Sequence, residues 1–357
     1  MPSERRLQVL SAIVTDYVRT REPVGSRALT ERYRLGVSPA TIRNDMAALE
    51  DEGYIYQPHT SAGRVPTQKG YRLFVDEVAR VKPLSAPERE AMTALLAGAV
   101  DLDQVVVRTV RVLAQLTGQL AVVEYPSLRR TALRHLELVA LGPTRLLMVI
   151  VTDTGRVEQR TVTLAGPGPQ VVDALDPLVL ERLRLRLNVA LVGRRAQEVV
   201  PVLTHLAEQA PDDERALLAA VIGELVAALR PDAEERLAVA GTANLARSTP
   251  DFSSLGPLLD AIEEQVVLLR LLSPETDDAP EGGGGDPTGM RVSIGSENHD
   301  DVLAEASVVT AGYGVGQGQV LARLGVIGPT RMDYPATMTV VRAVARYLSR
   351  FMAGPAG

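Results

Sequence analysis

The sequence predicts an α+β multidomain protein: an N-terminal winged helix-turn-helix unit, then a sheet domain interrupted by an inserted helical block. Three observations carry this. The first 82 residues hold short helices around a glycine turn, followed by a polar, turn-rich segment. From Gln119 the apolar period switches from helical to alternating. Finally, a run rich in Leu, Val and Ala between about 170 and 229 separates two strand-like regions.

Residues 4–20 form a first helix with Leu7, Leu10, Val14, Tyr17 and Val18 on one stripe. Residues 23–35 (PVGSRALTERYRL) give a short second helix with Ser26 as its cap, then a turn at 34–37 containing Gly36. Residues 38–52 (SPATIRNDMAALEDE) start a third helix, with Ser38 at the N-cap and Pro39 at the first helical position. Ile42, Met46 and Leu49 recur at i, i+4, i+7 as its inner stripe, while Ala40, Asn44 and Ala47 point away. Small residues let a helix approach a groove closely. Asn44 has the geometry to pair with an adenine edge, and Arg43 and Thr41 flank it for guanine or phosphate. Taken alone, this helix is indistinguishable from an amphipathic surface helix; its neighbours give it meaning.

Gly53 ends the third helix as a left-handed cap residue does. Residues 54–56 form a short strand and 57–67 (QPHTSAGRVPT) a polar loop, the outline of a wing. Its His59, Thr60, Ser61 and Arg64 are placed to meet phosphates or enter a minor groove, although a solvated hairpin has the same composition. Thr67 caps a helix with Tyr71, Phe74, Val75 and Val78 on one face, closing the unit near residue 82.

At these residues a resemblance becomes specific. EPVGSRAL (22–29), SPATIRNDMAALEDEGYIYQPHTSAGRVPTQKGYRLFVD (38–76) and LGVIGPTRMDYP (324–335) resemble the signature segments of the heat-inducible transcription repressor HrcA family. The resemblance implies a repressor that binds an inverted-repeat operator upstream of chaperone operons as a homodimer, with the chaperonin supporting its active state. It also implies a GAF-like sheet domain and an inserted dimerising domain. On that basis Asn44 and Arg43 read bases, Ala40 permits the close approach, and Ser26, Arg27, Ser38, Thr41 and Arg64 position the backbone.

The remaining chain follows in order. A connector (83–118) starts with a capping-box pattern at Ser85 and Glu88, and its second helix bears a stripe of Leu102, Val106, Thr109, Leu113 and Leu116 that reads first as core and second as a connector or dimer seam. The first part of the sheet domain (119–167) holds AVVEY, HLELVAL, RLLMVIV and VEQRTVTL as one antiparallel meander. The inserted helical block spans 168–231, with breaks at Pro177, Gly193 and Pro211. The second part (232–357) has a strand near 236–240, a helix near 254–271, strands at 290–294 and 307–327, and a final helix from 335 to 352. The strands flanking the block are expected to complete one sheet. Residues 273–289, acidic and glycine-rich, read as a flexible loop; GYGVGQGQ (312–319) reads as a hairpin turn, since it leads into a strand and not a helix.

Composition limits the function classes. The net charge of −6 is uneven: residues 1–80 carry 12 basic and 10 acidic side chains, and the remainder 26 and 34. With no cysteine, disulfides and thiolate metal sites are excluded, and a reducing cytoplasmic location is expected. The apolar run 146–151 is strand-sized, and no membrane partner is expected. His59, His135, His205 and His299 are dispersed, and His299 beside Asp300 and Asp301 reads as a solvated turn; neither catalysis nor a cofactor is expected. A second reading, a ligand-sensing transcription factor, would use the GAF-like domain as a small-molecule pocket.

Overall fold

α1 (Glu4–Thr20), α2 (Ser26–Arg32) and α3 (Pro39–Asp51) pack around Leu10, Ile13, Leu29, Ile42 and Leu49, all fully buried. The computed structural model describes the chain apart from residues 1, 61, 80–82, 97, 100, 128–130, 165–174, 229–235, 249–250, 273–288, 299–300, 317–318 and 354–357. Strands β1 (Ile55–Tyr56) and β2 (Val65–Pro66) pair antiparallel, and α4 (Gln68–Leu73) follows, its end widening into a π-helical turn over Phe74–Val78. Caps explain several starts. Ser38 Oγ accepts the Thr41 N–H at 3.2 Å, and Thr67 Oγ1 accepts the Gly70 N–H at 3.1 Å. Ser26 does not cap α2: Gly25 holds the cap position and Ser26 is the first helical residue.

α5 (Ala86–Leu96) and α6 (Leu102–Thr117) lead into the sheet, α6 being capped by Asp101, which accepts the Gln104 N–H at 2.8 Å. α6 buries Leu102, Val106, Thr109 and Leu113, as its stripe predicts; Leu116, expected on that stripe, is exposed at the last turn. The capping box expected at Ser85 rests on the Glu88 side chain, which lies outside the described residues.

Strand β3 (Leu120–Glu124) is followed by β4 (Leu133–Gly142), β5 (Arg145–Thr152) and β6 (Val157–Thr163), then by α7 (Pro177–Leu191), α8 (Ala196–Glu208) and α9 (Asp212–Ala228). Next come β7 (Leu237–Ala240), α10 (Thr242–Arg247), α11 (Gly256–Glu263), α12 (Gln265–Leu272), β8 (Arg291–Ile294), β9 (Ala306–Gly316), β10 (Gln319–Pro329) and α13 (Tyr334–Ala353). The single helix expected near 254–271 is two, parted at Glu264. Residues 312–316 lie within β9, which meets β10 at the pair Gly316 and Gln319; the expected loop 273–289 falls, but for Gly289, outside the described residues.

The strands form two larger sheets. One has the order β7-β3-β10-β9-β8, antiparallel throughout. Its strands alternate between two cores: Ala121, Val123, Val309 and Leu324 face α6 and α13, while Leu120, Val122, Val308 and Ile327 face the layer holding Leu245, Leu258, Leu268 and Leu272. The other sheet, β4-β5-β6, packs Leu136, Leu146, Met148 and Ile150 against Leu183, Leu187, Leu217 and Val221 of α7 and α9. The expectation of one meander is therefore corrected: β3 completes a sheet with β7 to β10, and β4 to β6 do not join it. Leu164 and Leu175, on either side of the edge expected at 168, belong to the same core. Alternation fixes which side chains face inward, not which sheet a strand joins.

Candidate nucleic-acid interface

α3 presents two unlike faces. Ile42, Met46 and Leu49 are buried against α1 and α2, whereas Ala40, Arg43, Asn44 and Ala47 are exposed and Thr41 is half-buried. Ser38, itself exposed, lies with its Oγ 3.0 Å from Thr41 Oγ1 at the helix start. Five of the expected residues, Ser38, Ala40, Thr41, Arg43 and Asn44, thus share one end and one side of a single helix. On α2, Arg27 is exposed and paired with Glu31 at 3.1 Å, and Ser26 is half-buried.

The hairpin after α3 is seated by backbone pairing: Val24 and Arg64 exchange N–H···O bonds of 2.9 and 2.8 Å. Gly63 makes that approach possible, since a Cβ there would fall 2.5 Å from the Pro23 carbonyl oxygen. Gln57 Nε2 donates to the carbonyls of Thr60 and Ala62 at 2.9 and 3.0 Å, closing the tip. His59 and Thr60 project there, exposed; Ser61 lies outside the described residues. Arg64 is placed differently from its neighbours. Its Nε donates to Glu50 Oε2 of α3 at 2.8 Å and it is half-buried, so it ties the hairpin to the helix, and reaching a phosphate would mean leaving Glu50.

The orientation of α3 rests on ions that the sequence reading passed over. Asp45, 3% exposed, accepts from Arg5 Nε at 2.8 Å and Nη2 at 3.0 Å, with Arg6 Nε at 3.9 Å. Asp16, equally buried, holds Arg19 at 2.8 Å and Arg32 at 2.7 Å, joining α1 to α2. Burial first, then the Asp16 charge, pushes the neighbouring Tyr33 phenol up from its ordinary pKa. A signal for Asp45 did exist: at i+3 from Ile42 it sits on the apolar stripe, where a carboxylate needs a partner.

The arrangement offers a small polar surface, an arginine and an amide on a helix braced from behind. Among the described residues, no group of three or more His, Cys, Asp or Glu side chains is disposed to hold a metal ion, and no helix is long and apolar enough to cross a membrane.

Comparison with known proteins supplies the relationship. Residues 103–338 match the family model described as the HrcA protein C terminal domain. The heat-inducible transcription repressor HrcA of Beutenbergia cavernae is 58% identical over 356 residues, covering 99% of this chain and all of that protein. That of Streptomyces avermitilis is 55% identical over 99% of both chains. A crystal structure described as a hypothetical protein at 2.2 Å resolution superposes with a TM-score of 0.63 at 24% identity, over 99% of each chain, and shares the fold. With a family model spanning well over half its length and relatives matched nearly end to end, the chain belongs to the HrcA family.

Proposed function

We propose that this chain is a heat-inducible transcription repressor that binds an inverted-repeat operator as a homodimer, with residues 1–82 acting as a winged helix-turn-helix. The observation that carries the reading is the exposed face of α3, with Arg43 and Asn44 between Ala40 and Ala47, set beside a hairpin whose tip bears His59 and Thr60. Paired recognition helices would occupy successive major grooves, Asn44 and Arg43 contacting base edges and Ser38, Thr41, Ser26 and Arg27 the backbone. Arg64 enters this reading chiefly as the residue that sets the wing on α3 through Glu50.

The sheet of β3 and β7 to β10 would be the GAF-like domain, and the unit from β4 to α9 the dimerising insert. An apolar stripe on α7 supports that role. Leu178, Leu185 and Val189, at spacings of seven and four, and Val192 at the C-cap are exposed, the first three on the side away from buried Leu180, Leu183 and Leu187. Membership of the family brings the chaperonin as modulator and a cytoplasmic location into the same reading. DNase footprinting on a chaperone-operon promoter tests it: both half-sites should be protected, and scrambling one should abolish protection of the pair. Protection indifferent to the scrambled half-site would reject a two-fold operator.

A further inference from the structure

Among the described residues, polar contacts between the DNA-reading unit and the sheet domain gather at two places, beside an apolar core that the two share. One is on α4. Arg72 donates through Nε to Glu297 Oε1 at 2.9 Å and through Nη2 to the Val292 carbonyl at 2.6 Å; Gln68 Nε2 donates to the Ala304 carbonyl at 2.9 Å; and the Tyr71 and Tyr334 rings lie 5.8 Å apart. The other is at the C-terminal end of α1, where the Arg331 guanidinium makes the hydrogen bonds and Arg21 adds an ion pair to Asp251. Arg331, just after β10, donates through Nε and Nη2 to the two carboxylate oxygens of Asp251 at 2.9 and 2.8 Å, and through Nη1 to the Val18 carbonyl at 2.8 Å.

Val18 lies in the last turn of α1, where carbonyls lack intrahelical partners, so a residue more than three hundred positions away caps this helix. Both ionic side chains are 10% exposed, and the paired fork leaves Arg331 one geometry. Arg21 adds a third member: its Nη2 is 3.4 Å from Asp251 Oδ2. It is also the only non-glycine residue with positive φ among the described residues, at 62°. A side chain in the left-handed region persists where its surroundings over-determine it.

One attachment leaves a pivot, whereas two on different helices fix an angle. The clamp grips the C-terminal end of α1, and the N-terminal end of α1 grips α3 through Arg5 and Asp45. A continuous line of bonded groups therefore runs from Asp251 through α1 to Asp45, on the buried side of the helix that carries the reading face.

We propose that Arg331 and Asp251 are positioning residues for operator binding: by fixing the α1 end of the reading unit to the sheet domain they set which half-site spacing a dimer accepts. This rests on the repressor reading above. Without the clamp, each half would still recognise its own site, but the two would no longer be held in register.

The test uses full-length wild type, Asp251→Asn and Arg331→Lys, with an inverted repeat selected by the wild-type protein from random DNA. Three DNAs are titrated: the selected repeat, the same repeat with five base pairs inserted (roughly half a turn) and a single half-site. The variants should bind the selected repeat about tenfold more weakly while single half-site affinity stays within about twofold, so that discrimination against the insert shrinks. Equal weakening on all three DNAs, or unchanged discrimination, overturns the proposal.

A DNA-independent arm separates its failure from failure of the repressor reading. The chain has no native cysteine, so spin labels at Gln8→Cys and Arg346→Cys, both exposed positions, report the distance between α1 and α13. The distribution should be narrow in wild type and broad in both variants. An equally narrow distribution in a folded Asp251→Asn or Arg331→Lys protein overturns the clamp, whatever the selection yields. Should Asp251→Asn fail to fold, Arg331→Lys, which keeps the charge and loses the fork, decides by the same criteria.

Discussion

Asn44 and Asp45 are neighbours on α3 and face opposite ways: Asn44 is exposed, while the Asp45 carboxylate is buried and bonded twice by Arg5. The two should fail differently. Asn44→Ala is expected to lower affinity for the operator by about 1–3 kcal/mol and leave binding to scrambled DNA unchanged. Asp45→Ala should weaken both and lower the melting temperature, because it removes the brace of the whole helix. Parallel titrations on the two DNAs distinguish them, and equal losses for Asn44→Ala would remove it from base readout.

Gly63 is the fulcrum of the hairpin. An added Cβ would meet the Pro23 and Val24 backbone at 2.5 Å, so Gly63→Ala must push the hairpin off Val24, with which Arg64 pairs. We expect a folded protein destabilised by about 1–3 kcal/mol. Amide exchange at Val24 and Arg64 should accelerate selectively. Unaltered protection at those two amides would show that the hairpin is seated by something else.

Val189, on α7, is 88% exposed, so Val189→Glu should leave monomer stability within about 0.5 kcal/mol. If α7 is the dimer seam, sedimentation equilibrium should show the variant dissociating at concentrations where wild type does not. A variant that remains dimeric moves the seam elsewhere.

The buried tyrosines report through pH on the sheet at Tyr313 and on the contact of α4 with α13 at Tyr71 and Tyr334. Burial raises the phenols of Tyr71, Tyr313 and Tyr334 above the ordinary value of 10.0, those of Tyr71 and Tyr313 well above it. The folded protein therefore holds these protons more tightly than the unfolded chain. Stability from this source is intact below pH 10 and declines as pH rises beyond it. Tyrosinate absorbance should thus show a gradual early rise from exposed phenols, then a cooperative step coinciding with loss of helical circular dichroism. A smooth titration of all nine tyrosines before unfolding would contradict the burial.

Local pattern made some of this architecture legible. The spacing of Ile42, Met46 and Leu49 gives the buried side of α3, and Ser38 with Pro39 gives its start, because caps and periodicity are properties of adjacent residues. Partnership across the chain was not legible. Arg5 and Asp45 are forty positions apart, and although Arg331 lies in the signature segment 324–335, nothing local says that it caps α1. Sheet membership fails for the same reason: β3 and β4 both read as strands, yet Leu120 packs with Leu258 and Leu136 with Leu183. Ser38, Ala40, Thr41, Arg43 and Asn44 cluster because one helix carries them, whereas Arg64, whose orientation depends on Glu50, is turned aside.

Strands β3 and β7 are antiparallel neighbours, and the Tyr125 amide donates to the Arg236 carbonyl at 2.8 Å just beyond them. Topologically they form an ordinary hairpin whose connecting segment has been expanded into a second folding unit, with its own sheet and its own core. The two junctions lie side by side, so the segment is removable without rethreading the sheet. A short turn joining Tyr125 to Arg236 would close the same hairpin, and the excised piece carries a complete interior of its own. Such a chain is open to exchange at this point, one module replaceable by another while the parent sheet keeps its strand order.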